Sequence, residues 1–197
     1  MAQDNTKIRR HAGIDRLFHW LTAATMTVLL ATSLLPIIGV RFAWYGIHWV
    51  AGLLLTVLIL LHIVRGLFWQ KPSLVFAIRG RDLHAGRAGK YTLPQKLMHL
   101  AWTVAVLVAI VTGLLLLRKA GVSFLERDPY VRSLAAWGVL TLLHDLAALL
   151  SVFLILVHVY FGILPEKRAY LRAMLFGWIT RADLRAEHDV ERVERGD

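Results

Sequence analysis

The chain has 197 residues, 57% of them hydrophobic, with a mean hydropathy of +0.58 and a formal net charge of +10. A water-soluble domain is usually less apolar. With no cysteine at all, disulfides, thiolate iron–sulfur ligation and the C-x-x-C-H attachment of c-type haem are excluded within the chain. A sequence pI near 10.5 would suggest nucleic acid in a soluble protein, but here the apolar residues come in blocks of twenty or more. The charge is therefore read as membrane topology, and no nucleic-acid partner is expected.

Residues 1–16 are polar and basic. A first uncharged apolar span runs over about 17–40 and ends without a small-residue cleavage site, which predicts a retained helix rather than a removable signal peptide. A second span covers about 42–69, with Arg65 near its end, where a long side chain can reach the membrane interface. A basic, glycine- and proline-containing connection leads to a third span at about 95–117. A short polar segment then precedes the fourth, at about 133–164, which Pro165 ends. From 166 to 188 basic and apolar residues alternate at helical spacing, the pattern of a segment lying along lipid headgroups. Trp44, Trp69 and Trp137 fall near predicted helix ends, as interfacial tryptophans do.

The expected fold is all-α: one integral membrane four-helix bundle spanning residues 1–197, each span long enough to cross about 30 Å of hydrocarbon. Eighteen of the twenty-three Lys and Arg residues lie in the N-terminus to Arg16, the stretch from Arg65 to Lys96 and the C-terminal tail, against five on the other side: Arg41, Arg118, Lys119, Arg127 and Arg132. By the positive-inside rule both termini face the cytoplasm, in a multi-pass protein of the bacterial inner membrane.

Six of the nine histidines lie in or at the edge of an apolar span: His19, His48, His62, His99, His144 and His158. Ionisable groups inside a membrane are rare and mark function by default. On the fourth span His144 and His158 are fourteen residues apart, roughly 21 Å along a helix axis. The same interval returns the second side chain to within about 40° of the first. Two imidazoles on one face, one near each membrane surface, suit two haems; zinc would need ligands clustered within a turn. Depth pairs His48 with His144 on the outer side. On the inner side both His19 and His62 reach the level of His158, and depth does not choose between them.

At these residues the chain resembles the gamma (cytochrome b) subunit of membrane-bound formate dehydrogenase, within the four-helix dihaem cytochromes b. The resemblance is carried by I-D-R-x-x-H-W at 14–20, H-x-x-x-G at 48–52, G-K-Y-x-x-x-Q-K at 89–96, and the run from Leu142 through His144 to His158 and Tyr160. It implies two haem b groups, the outer on His48 and His144 and the inner on His19 and His158, and so decides against His62, the alternative inner ligand that depth leaves open. It further implies reduction of menaquinone or ubiquinone beside the inner haem, around Thr92, Pro94, Gln95 and His99. Thr92 stands where the family has asparagine, and His99 where it has an apolar residue. Arg16 and Arg65 are placed to meet haem propionates, and Gly52 and Gly113 to admit a flat ring; anchoring and close helix packing account for the same residues. Asp145 adjoins a proposed ligand.

The leading expectation is thus a membrane anchor that carries electrons inward to quinone. They come from an iron–sulfur subunit and a catalytic dehydrogenase subunit on the outer face, met near His48 and residues 118–132. The chain itself holds no primary dehydrogenase site. One competing reading is a self-sufficient cytochrome exchanging electrons between quinone and superoxide. A transporter using membrane histidines is another, opposed by the uncharged spans and the matched histidine depths.

Overall fold

The computed structural model describes residues 6–69, 77–78 and 91–185. Gly89 and Lys90 of the G-K-Y motif, His84, His188 and residues 186–188 of the expected interfacial segment lie outside these. Four helices are long and apolar enough to cross a membrane: α1 (Gly13–Ile37), α2 (Trp44–Trp69), α3 (Leu93–Ala120) and α4 (Leu134–Ile163). They answer to the four spans read from hydropathy, and their ends differ from those readings for local reasons. Helix α1 begins earlier, where the Asp15 carboxylate accepts from the Ala12 backbone N–H (3.3 Å). It also stops earlier, because Gly39 takes the left-handed conformation (φ 92°) that closes a helix C-terminus. Helix α3 starts at 93 through a capping box, the Thr92 N–H donating to Gln95 Oε1 (3.0 Å). Pro94 sits in the first turn, where a missing N–H costs nothing. Ser133 caps α4 by accepting from the Ala136 N–H (3.2 Å).

Two compact units divide the chain, and each contains parts of all four long helices. The unit formed by Trp20–His62 and Trp102–Ile155 has an apolar core of Met26, Leu55 and Val106, packed with Leu29, Ile59, Trp102 and Ile110. Small buried residues, Ala51, Ala105, Ala147 and Ser151, let backbones approach where hydrocarbon supplies no hydrophobic drive. The 121–132 connection is ordered on this unit. Tyr45 donates its hydroxyl to the Gly121 carbonyl (2.8 Å), and the Trp137 indole donates to the Pro129 carbonyl (2.7 Å). Trp137 is 2% exposed, so it is a core residue with Arg132 over its ring, whereas Trp44 and Trp69 are exposed as expected.

The other unit, Met1–His19, Ile63–Ala101 and Leu156–Asp197, joins the chain's two ends. Strand β1 (Lys7–Arg9) pairs antiparallel with β2 (Trp178–Thr180), Ile8 opposite Ile179. After a 3₁₀ turn at Pro165–Lys167, α5 (Arg168–Phe176) and α6 (Arg181–Arg185) flank β2. Ala173, Ile179 and Leu184 are fully buried together against Ile8, Ala169 and Tyr170. The C-terminal segment is therefore not one surface helix. Gly177, at φ 90°, ends α5, and its carbonyl accepts from the backbone N–H groups of Arg10 (2.9 Å) and His11 (3.2 Å). The exposed Leu171, Leu175 and Phe176 keep an apolar side on α5 itself.

Candidate functional site

Helices α2 and α4 bring His48 and His144 together edge to face in the first-described unit, ring centroids 6.2 Å apart and planes at 75°. Each ring is held from the helix that precedes its own. His48 Nδ1 lies 2.8 Å from the Thr32 hydroxyl on α1, and His144 Nδ1 lies 2.9 Å from the Thr112 hydroxyl on α3. The single hydroxyl proton of Thr32 is directed to the Val28 carbonyl (2.8 Å) and that of Thr112 to the Val108 carbonyl (2.6 Å). A carbonyl has no proton to return, so each threonine oxygen accepts and each Nδ1 is the donor. That leaves Nε2 of both rings as a lone-pair donor for a metal. Gly113 makes room for this: a Cβ there would stand 3.1 Å from His144 Cε1. At Gly52 the nearest atom to such a Cβ is Leu29 Cδ2, at 4.0 Å.

In the second unit, His19 on α1 and His158 on α4 face each other with centroids 6.1 Å apart and planes at 48°. His19 is half-buried and His158 exposed. Asp15, one turn before His19, is ion-paired with Arg65, and Arg16 donates to the Leu175 carbonyl (2.6 Å) at the end of α5. Both arginines offered for propionates thus have protein partners already, and each keeps further N–H groups. Gly177 packs on the Arg16 guanidinium, which ties the start of α1 to the C-terminal ribbon.

Each histidine pair has the spacing of two imidazoles on one ion. Two metal–nitrogen bonds of about 2 Å, plus about 1.2 Å from each nitrogen to its ring centre, put the centroids of two opposed rings roughly 6.4 Å apart. Among the described residues no three His, Asp or Glu side chains converge as a zinc or di-metal site needs. Two opposed imidazoles would offer a haem iron two nitrogen donors, and the sequence holds no cysteine to attach a haem covalently.

The remaining sequence candidates are placed as follows. His62, on α2, is exposed. Thr92 and Gln95 are half-buried and engaged in the α3 cap, Pro94 is exposed, and His99 is half-buried about one turn further on. Asp145 is exposed, and the hydrogen-bond partner of His144 Nδ1 is the Thr112 hydroxyl instead. Tyr91, the aromatic of the G-K-Y motif, stands just before the cap. Burial raises its phenol above the ordinary range; Arg10 opposes that shift and Asp15 adds to it. Lys96 is buried and donates to the Ala77 carbonyl (2.9 Å).

The sequence profile of the family described as prokaryotic cytochrome b561 matches residues 10–177. The chain is also similar to a formate dehydrogenase cytochrome b556 subunit from Haemophilus influenzae. The two are 23% identical over 197 residues, which cover 90% of this chain and 79% of that subunit.

Proposed function

This chain belongs to the prokaryotic cytochrome b561 family, multi-pass membrane proteins that bind b-type haem and transfer electrons, and on that premise we propose that it is the dihaem membrane subunit of a quinone-linked, formate dehydrogenase-like complex. The observation that carries the reading is the pair of facing histidine couples, His48 with His144 and His19 with His158, each at the separation of two rings on one iron. One unbroken helix, α4, supplies a ligand to both. His48 with His144, and His19 with His158, would each hold a haem b, which when bound would supply one-electron transfer.

The chain's own residues do the rest. Thr32 and Thr112 hold the ligand rings in the tautomer that presents Nε2. Gly113 keeps the space beside His144 clear, and the Asp15–Arg65 pair steadies the turn that presents His19. The apolar helix surfaces exclude water and anchor the chain in lipid. Both termini lie in the cytoplasm of a bacterial inner membrane, because eighteen of twenty-three Lys and Arg residues fall on that side. Menaquinone or ubiquinone is reduced near Thr92, Pro94, Gln95 and His99, where His99 and the phenol of Tyr91 are proton-bearing groups beside the α3 cap. Arg16 and Arg65 offer their remaining N–H groups to propionates. The iron–sulfur and dehydrogenase subunits dock on the outer face near His48 and residues 118–132, as the similarity to a formate dehydrogenase subunit supports.

A reduced-minus-oxidised spectrum of the purified chain, with haem counted per polypeptide, tests the proposal. Two low-spin b haems per chain is the expected result. No haem in protein from haem-replete cells would refute it. Rapid turnover of superoxide with quinone by the isolated chain would remove the need for a partner and overturn the subunit assignment.

A further inference from the structure

We propose that the hydroxyls of Thr32 and Thr112 set the reduction potential of the metal centre between His48 and His144, as a matched pair of positioning residues on the far ring nitrogens of its two ligands. The inference rests on the reading of those histidines as axial ligands and goes beyond it to the chemistry that tunes them.

The two threonines are built alike. Thr32 back-bonds to the carbonyl four residues before it, Val28, and Thr112 to the carbonyl four before it, Val108. The carbonyl three residues before each threonine, Leu29 and Ala109, also lies within reach of the same hydroxyl, at 2.9 and 3.3 Å. One local device therefore occurs twice in the same register, on α1 toward α2 and on α3 toward α4. Thr32 and Thr112 are 3% and 4% exposed, so no solvent molecule stands ready to replace the hydroxyl. A threonine in an apolar helix ordinarily does no more than back-bond to its own helix. Here the second lone pair of each oxygen is aimed at an imidazole 2.8–2.9 Å away.

Acceptors on Nδ1–H draw its proton outward and leave the ring a stronger donor through Nε2, which favours ferric over ferrous iron. Reduction adds one electron to the ferric ion, with no bond broken and no proton moved. Removing a hydroxyl acceptor therefore favours the ferrous state and raises the potential. The expected effect is about threefold in the reduction equilibrium constant per threonine, about 28 mV at 59 mV per factor of ten.

The test is a redox titration, followed by visible absorbance, of full-length haem-loaded protein carrying Thr32→Val, Thr112→Val or the corresponding serine variants. The expected result is one transition shifted upward in each valine variant, the other unmoved, and both restored to wild-type values by serine. Valine variants with both transitions unmoved, or both moved equally, would overturn the proposal. If valine removes one haem, serine decides: retention at the wild-type potential supports the hydroxyl, and loss assigns the effect to methyl packing and overturns it. A His144→Ala control that keeps both haems would refute the ligand reading itself, whatever the threonines do.

Discussion

Replacing Gly113 by alanine separates a steric requirement of the site from ordinary helix packing. A Cβ at Gly113 would lie 3.1 Å from His144 Cε1 and 3.6 Å from its Nδ1. Carbon atoms in favourable contact sit about 3.5–4.0 Å apart, so the ring has to retreat by roughly half an ångström. That retreat pulls against the 2.9 Å bond to Thr112 and turns Nε2 off the line toward His48. Overpacking of this kind costs about 1–3 kcal/mol, which is roughly 5- to 150-fold in affinity for whatever the ring ligates. Alanine is meanwhile the better helix former by about 1 kcal/mol, so the fold as a whole is not weakened. Haem counted per chain after extensive detergent washing should fall from two toward one, with the remaining signal belonging to the His19–His158 centre. Gly52→Ala is the control: its Cβ meets Leu29 Cδ2 at 4.0 Å, ordinary contact, and both haems should stay. Two haems with unaltered spectra in the Gly113 variant, or equal losses in both variants, would refute the reasoning.

Other expectations are as direct. His144→Ala should lose one haem while the other keeps its low-spin spectrum. His19→Ala should lose the haem that His144→Ala retains, whereas His62→Ala should keep both, its side chain being exposed on α2; haem stoichiometry and visible spectra read each case. Gly177→Val places a branched side chain at φ 90° with a Cβ 3.1 Å from the His11 carbonyl. It should cost about 1–3 kcal/mol and release the C-terminal ribbon, seen as faster proteolysis after residue 164 without loss of the long helices. Arg65→Gln breaks an ion pair whose side chains are 24% and 31% exposed, so a thermal melt should change by less than about 1 kcal/mol.

Hydropathy alone located α1 to α4, because a segment that must satisfy its backbone in hydrocarbon has to be a long, continuous apolar helix. The fourteen-residue interval between His144 and His158 was equally legible, since a helix turns a sequence distance into an axial distance and a face. Neither rule speaks of lateral neighbours. That His19 faces His158 depends on how α1 and α4 are turned about their axes, and a hydropathy profile is blind to rotation. Thr32 and Thr112 read in sequence as unremarkable membrane threonines; only their approach to His48 and His144 exposes the second hydrogen bond. The β1–β2 ribbon was invisible for another reason. Three-residue strands carry too little periodicity to register, and their stability comes from burying Ile8 and Ile179 between chain ends some 170 residues apart in sequence. Gly52 and Gly113 looked alike in the chain, and it is the ring packed against only one of them that gives that glycine its task. The sequence determined which segments enter the membrane and which residue types they carry there; the tertiary structure decided which side chains meet, because contacts between helices depend on rotation and register that no single helix encodes.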